Sequence, residues 1–362
     1  MKEKIHNSEL ISMIYFIMRS SYIGVGINSY LYYAKIDSYI SIFIGIILGF
    51  IPIYLFLKIN DIKKDKNINE IIIDILGNKL GKTLIIITNL FILFFSSFLF
   101  YDLINFITSE YLYKTPSLLV GIMMLIPIIY TVTKGLKTIC RTNIILFIIS
   151  VILYLISILG LIPSFNFENL LPFMQTSKTN ILLSSMSYIA YSILPLSLLL
   201  IIPKNNLKDL KKSRKTIIIA ILITDFIIFI SLLNTVGVLG IDLALLYQYP
   251  DYQMLRRIQI GGFIQRTESI LAIQWFLCLF AMIVLCTYYI LKSKESINSK
   301  ISNKKLMLII SIILIIINEK IWPSNTSFIT FSIKYMPIIL YIFLLVPYLI
   351  LYITYLVKKK CR

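Results

Sequence analysis

The sequence predicts an all-α integral membrane protein: one domain over residues 1–362, with ten transmembrane helices in two inverted halves of five, helices one and six being discontinuous. Three observations carry this reading. The chain is 58% hydrophobic with a mean hydropathy of +0.88, whereas a soluble domain is about 45–50% apolar. Apolar runs recur at about 20 residues, the length that crosses a bilayer. Lys and Arg crowd into alternate connections between those runs, as the positive-inside rule requires.

Taken in order, the predicted spans of the first repeat (about 9–162) are 9–34, 38–58, 83–107, 117–133 and 142–162. Those of the second (about 179–357) are 179–202, 215–238, 267–291, 305–321 and 335–357. One side collects 26 of the 35 basic residues and the other 8, with Arg19 alone inside a span. Both termini are therefore expected in the cytoplasm. The net charge of +18 reads as topology, not as a nucleic-acid surface. Five spans per half force the second half to run upside-down relative to the first, the inverted repeat of many secondary transporters.

Span one carries Gly24-Val25-Gly26-Ile27-Asn28 at its middle. Glycine weakens a helix, and backbone groups freed in hydrocarbon need partners, so a break there points to a cavity or a site. A small-residue packing face is the alternative. No strand precedes the glycines and position 29 is serine, so a dinucleotide fingerprint fails. Span six carries the matching interruption, Tyr188-Ile189-Ala190-Tyr191-Ser192-Ile193-Leu194-Pro195; a simple proline kink is the alternative. A pair of breaks, one per half, marks a central ligand site. Expected ligand-facing residues are Ile23, Gly24, Val25, Gly26 and Asn28 in span one, Tyr101 and Asn105 in span three, Tyr188, Tyr191 and Ser192 in span six, and Thr287 in span eight. The free amides and the half-helix N-terminus would receive a carboxylate.

Charges inside spans are costly and functional by default. Arg19, Asp102 in span three and Asp225 in span seven suggest an internal network, with Arg19 paired to one of the two acids. Arg266 and Glu268 open span eight, ahead of Trp275, which lies deeper than an interfacial belt. Gly45 and Gly49 in span two read as helix packing. Between spans two and three, Asn67–Leu80 places Ile68, Ile71, Ile72, Ile75 and Leu76 on one face of a surface helix. The equivalent connection, 239–266, holds a similar apolar segment interrupted by Pro250.

Cys140, Cys278, Cys286 and Cys361 form no CxxC pattern and predict neither disulfide nor zinc site; Cys361, beside Lys358-Lys359-Lys360, reads as an inert tail thiol. The single histidine, His6, leaves no histidine metal centre or Ser-His chemistry. No paired acids or activated nucleophile suggest an enzyme, and no cofactor or metal is expected. The first span contains Arg19, lacks a small-residue cleavage site and reads as a span rather than a signal.

Ser8-Glu9-Leu10-Ile11-Ser12 leading to the glycine pair, and Gly262-Phe263-Ile264-Gln265-Arg266-Thr267-Glu268-Ser269-Ile270 leading to Trp275, resemble the permease-like B subunits of bacterial spore germinant receptors. That family is similar to the amino acid–polyamine–organocation transporters. The resemblance spans essentially the whole chain. It implies a subunit of the spore inner membrane, partnered by a receptor A subunit and a lipoprotein C subunit, that senses a small nutrient such as an amino acid and triggers germination. The family's helix-break motif falls on Gly24, Val25 and Gly26, and its charged motif on Arg266 and Glu268. Arg19 departs from it, standing where the family pattern implies a neutral polar residue. The alternative function is a proton- or sodium-coupled amino-acid transporter, with Asp102 or Asp225 as the coupling acid.

Overall fold

The computed structural model describes residues 4–258, 268–297 and 300–360. Among these the chain is helical, with one isolated parallel bridge between Ile5 and Leu207 and no named strand. The first span comprises α1 (Asn7–Ser20), a π turn at Tyr22–Gly26 and α2 (Ile27–Ala34). Lys35, at φ 47 and ψ −126, turns the chain into α3 (Ser38–Asn60). There follow α4 (Ile68–Leu76), α5 (Asn78–Glu110), α6 (Ser117–Thr133) and α7 (Leu136–Leu161). The second half runs α8 (Lys178–Tyr188), a π turn at Ile189–Ile193, a 3-10 helix at Leu194–Ile201 and α9 (Leu210–Leu239). It continues with α10 (Ile241–Leu246), α11 (Pro250–Leu255), α12 (Glu268–Leu271), α13 (Ile273–Ile297), α14 (Asn303–Lys320), α15 (Asn325–Lys334), α16 (Met336–Leu344) and α17 (Val346–Lys360).

All ten predicted segments fall on helix where they are described. By length and apolarity, however, seven helical runs among the described residues are able to cross a membrane, or eight if the pair α14 and α15, bent by 109°, is one span. The count differs for physical reasons. Asn7–Asn60 is one 54-residue helical run containing the first two predicted spans, too long for a single crossing at about 20 residues each. The α6 helix has only 17 residues. The chain is a multi-pass membrane protein.

The surface helix ends earlier than expected. Asn67 and Glu70 form a capping box at its start, and Gly77, at φ 82, stops it at Leu76. Its buried face holds Ile68, Ile71, Ile72 and Ile75 of the stripe read from the sequence, with Asn69 added and Leu76 only half-buried, packed on α5. Pro250 splits the equivalent connection into α10 and α11, taking the first turn of α11, where its missing N–H costs nothing.

Two helices form the centre. The apolar windows of α8 with its extension and of α12–α13 are 78% and 82% buried, against 22% for α7. The α1–α2 span packs on α8, α9, α13 and α7, and its π turn touches that of span six. Gly45 and Gly49 face span six as packing residues: a Cβ at Gly45 would meet Tyr188 Cδ1 at 2.7 Å, and one at Gly49 would meet Ile193 Cγ1 at 3.1 Å.

Candidate functional site

The first span is broken where the glycine pair predicts. Ile23 (φ −63, ψ 131) and Gly24 (φ 76, ψ −52) leave helical geometry. The Gly24 conformation lies in the positive-φ γ-turn region, strained for any residue with a Cβ. Space is as restrictive as the dihedrals: a Cβ on Gly24 would stand 2.6 Å from Asp102 Oδ2, and one on Gly26 2.6 Å from the Ser21 carbonyl oxygen. The freed carbonyl of Gly24 accepts a 2.7 Å hydrogen bond from Asn28 Nδ2, which also donates to the Gln248 carbonyl at 2.8 Å. Asn28 thus closes the break and ties it to the connection between α10 and α11.

Asp102 is 1% exposed, and neither carboxylate oxygen has a hydrogen-bond partner. It lies against Gly24 at the N-terminal end of the second half-helix, where the helix dipole favours an anion. The place expected to receive a ligand's carboxylate is therefore lined by the protein's own carboxylate.

The second interruption differs from expectation. Ile189–Ile193 is π-helical and Leu194–Ile201 is 3-10, with Pro195 in the first 3-10 turn. The caps at Tyr188, Ile193 and Leu194 retain right-handed helical dihedrals. Proline supplies a helix-compatible φ and removes a donor, so the helix changes its winding instead of opening. The span-six hydroxyls are committed elsewhere. Tyr188 donates to Asp225 Oδ1, Tyr191 donates to the Ser332 carbonyl at 2.6 Å, and Ser192 Oγ lies 3.5 Å from Tyr30 Oη.

The structure brings Ile23, Gly24, Val25, Gly26 and Asn28 together with Asp102, and Asn105 joins from one turn on by donating to Tyr249 Oη at 2.7 Å. Tyr101 instead donates to Asn325 Oδ1 at 2.9 Å on α15, and Thr287 donates to its own helix at the Ile283 carbonyl, 2.8 Å away. Those two are not assembled with the break.

The expected ion pair between Arg19 and an intramembrane acid is not formed. Arg19 Nη1 donates to Tyr15 Oη at 2.5 Å and Nη2 to Gln274 Oε1 at 2.9 Å. Its guanidinium lies 4.5 Å from the Tyr154 ring centroid. Asp225 is bonded to Tyr188 and Asp102 abuts Gly24, so the charges are distributed among neutral partners. Arg266 lies outside the described residues; Glu268 begins α12. Trp275 is 3% exposed within an aromatic cluster with Phe106, Tyr249 and Tyr252.

Reading by span missed Tyr15, Tyr22, Gln274, Tyr249 and Asp251. Tyr15 was accessible, standing one helical turn before Arg19 on the same face. Asp251 sits in a connection, where an acid is unremarkable, yet it is 3% exposed. Burial pushes its carboxyl well above the usual carboxylate range, against the pull of nearby α11 amides and of Arg19. At the cytoplasmic end predicted by charge, Glu9 accepts from the His6 amide at 2.7 Å and pairs with Lys137 at 3.1 Å.

The chain is similar to known germination proteins. The family described as spore germination protein matches residues 5–329. Spore germination protein KB of Bacillus subtilis (strain 168) is 22% identical over 237 residues, covering 64% of this chain and 63% of that protein. The match thus spans less than two thirds of that relative. The putative spore germination protein YfkT of the same organism is 25% identical over 280 residues, 75% of this chain and 74% of the relative. Spore germination protein YndE is 23% identical over 256 residues, 70% of this chain and 69% of the relative. With a family match over nearly the whole length and a helix break on the glycine pair, the chain belongs to the spore germination protein family.

Proposed function

We propose that this chain is the membrane subunit of a spore nutrient-germinant receptor, with its ten helical segments arranged as an inverted five-plus-five repeat. It senses a small nutrient, an amino acid, at a central site beside the broken first span and triggers germination. It resides in the spore inner membrane with both termini cytoplasmic, and works with a receptor A subunit and a lipoprotein C subunit. The observation that carries the reading is the first-span break: Gly24, in a conformation closed to residues with a Cβ, held against a buried, unpartnered carboxylate, in a π turn that touches the second interrupted helix. A broken backbone inside an apolar span survives only where it is buried in protein or lines a site. Binding shifts the balance between two arrangements of the repeats by its differential affinity for them, and the partner subunits transmit the shift.

The test is germination of spores from a deletion strain across single nutrients, with Gly24→Leu and Gly26→Leu restored at the locus. The deletion is expected to remove the response to one nutrient class, and both variants to remain silent, with the level of each variant in the spore membrane measured alongside. A full response from either variant would reject the break as the sensing element. The second reading, a coupled amino-acid transporter, is favoured by the same unpartnered Asp102, which would serve as the coupling acid. Concentrative uptake of labelled amino acids by the protein alone in vesicles would establish it.

A further inference from the structure

Three buried polar atoms without partners line one cavity. They are Arg19 Nε, Tyr22 Oη and Asp251 Oδ1, each on a residue no more than 3% exposed. The cavity lies between α1, α7, α9, α11 and α13, and its volume open to water is about 20 Å³. Its wall also carries Asn234, Gln274 and Trp275. Arg19 brings a permanent cation whose direct partners are a phenol, an amide oxygen and an aromatic face, all neutral. Asp251, on the wall of the same cavity, brings an acid whose ionised form an arriving ammonium would favour. No ion pair joins Arg19 to any acid among the described residues.

A buried charge is tolerable when paired and hydrogen-bonded. Water fits a void of this size and can bond Nε, but it leaves the guanidinium uncompensated. A lone anion would answer Arg19 and oppose Asp251; a lone cation would do the reverse. One ligand chemistry answers both walls at once: a small zwitterion. The guanidinium fork matches a carboxylate in geometry as well as sign, and a carboxylate oxygen with an amide beside it suits an ammonium.

We propose that this chamber is the docking site for the charged ends of a small amino acid, its α-carboxylate on Arg19 and its α-ammonium on Asp251. The proposal rests on the sensing reading above and moves the ligand's carboxylate from the helix break, where Asp102 would repel it, to the guanidinium one to two turns earlier on the same span. It also sets a size rule. The chamber must widen to admit even glycine, and buried Trp275 is part of its lining, so the smallest amino acids act best. Widening it separates α1 from α7, α9 and α13, which is movement of the first span against its neighbours.

The test uses spores in which this receptor is the sole one present, with germination measured against concentration. The probes are glycine and alanine, then glycine methyl ester, which lacks the carboxylate, and N-acetylglycine, which lacks the ammonium. The expected result is a response to the small amino acids and, for each derivative, a half-maximal concentration raised by about ten- to a hundredfold, the worth of one lost charged hydrogen bond. Arg19→Gln and Asp251→Asn should raise the half-maximal concentration for glycine by a similar factor while keeping the maximal rate, and Arg19→Lys should recover part of the loss. An ester and an acetyl derivative each as potent as glycine overturn the chamber whether or not the variants fold. Unchanged half-maximal concentrations in folded variants also overturn it and leave sensing intact. If no amino acid acts and the deletion strain germinates normally on every nutrient, the sensing reading falls, and the chamber with it.

Discussion

Gly24→Ala is the sharpest perturbation of the broken span, because its cost divides into two separable parts. The dihedral part follows from φ 76 and ψ −52, a conformation costing a residue with a Cβ about 1–3 kcal/mol. The packing part follows from the 2.6 Å approach of the new methyl to Asp102 Oδ2; overpacking of a filled interior costs about 1–3 kcal/mol. The expected destabilisation is about 2–6 kcal/mol, read from denaturant or thermal unfolding of the purified protein in detergent where unfolding is reversible. Asp102→Ala removes the obstructing carboxylate and should return only the packing part, so the Gly24→Ala, Asp102→Ala cycle should show a favourable coupling of about 1–3 kcal/mol. The remaining loss belongs to the backbone and no neighbouring substitution should recover it. An unchanged midpoint for Gly24→Ala would refute the strained break, and zero coupling would refute the contact between Asp102 and Gly24.

Two further outcomes follow from the same geometry. Tyr188→Phe removes the hydroxyl that donates to buried Asp225 and should destabilise by about 1.5–3 kcal/mol, the worth of a hydrogen bond to a charged group; adding Asp225→Asn should recover part of it in the same unfolding assay, and no recovery would mean the two side chains are uncoupled. On the surface helix α4, desolvation raises the Asp74 carboxyl, but the ammonium groups of Lys63 and Lys66, at 2.6 and 2.7 Å, outweigh it and hold the group below its ordinary 3.8. Its stabilising effect is therefore fully present above about pH 4 and lost as pH falls through the lowered value. Asp74→Asn should cost at most about 1 kcal/mol at pH 7 and converge with the parent protein once pH falls below that lowered value.

The break at Gly24 was legible because a glycine pair in the middle of an apolar span is expensive unless the backbone uses it. The stripe of α4 was legible because an amphipathic period survives without knowledge of the rest of the fold. The winding change after Tyr188 was not. Pro195 announces a missing donor, and that signal is shared by an unwound stretch, a kink and a 3-10 helix. Partner choice was less legible still. Sequence gives the depth of Arg19, Asp102 and Asp225 in the bilayer but not the azimuth of each helix, and three charges at similar depth invite pairings the packing does not make. Arg19 turned to Tyr15 and Gln274, the first foreseeable from helical spacing and the second only from the contact of α1 with α13.

The chemistry of the break bears on how a signal would arise there. Asn28 already occupies the freed carbonyl, and Asp102 already supplies the negative charge that the half-helix dipole favours. A ligand carboxylate arriving at Gly24 would displace one or meet repulsion from the other, and so would gain little by binding there. Another group of unsatisfied atoms lies at Arg19 and Tyr22, both just N-terminal to the short non-helical joint at Ile23 and Gly24, and at Asp251 on α11. A ligand carboxylate gains where the unsatisfied group is a cation rather than another carboxylate, and a conformational equilibrium moves only by that differential gain. The joint is then the hinge and the chamber the place where energy enters. Stiffening the hinge should lower the maximal response at unchanged half-maximal concentration, the opposite of the pattern expected for Arg19→Gln. A substitution at Gly24 that shifted only the half-maximal concentration would reverse that assignment of roles.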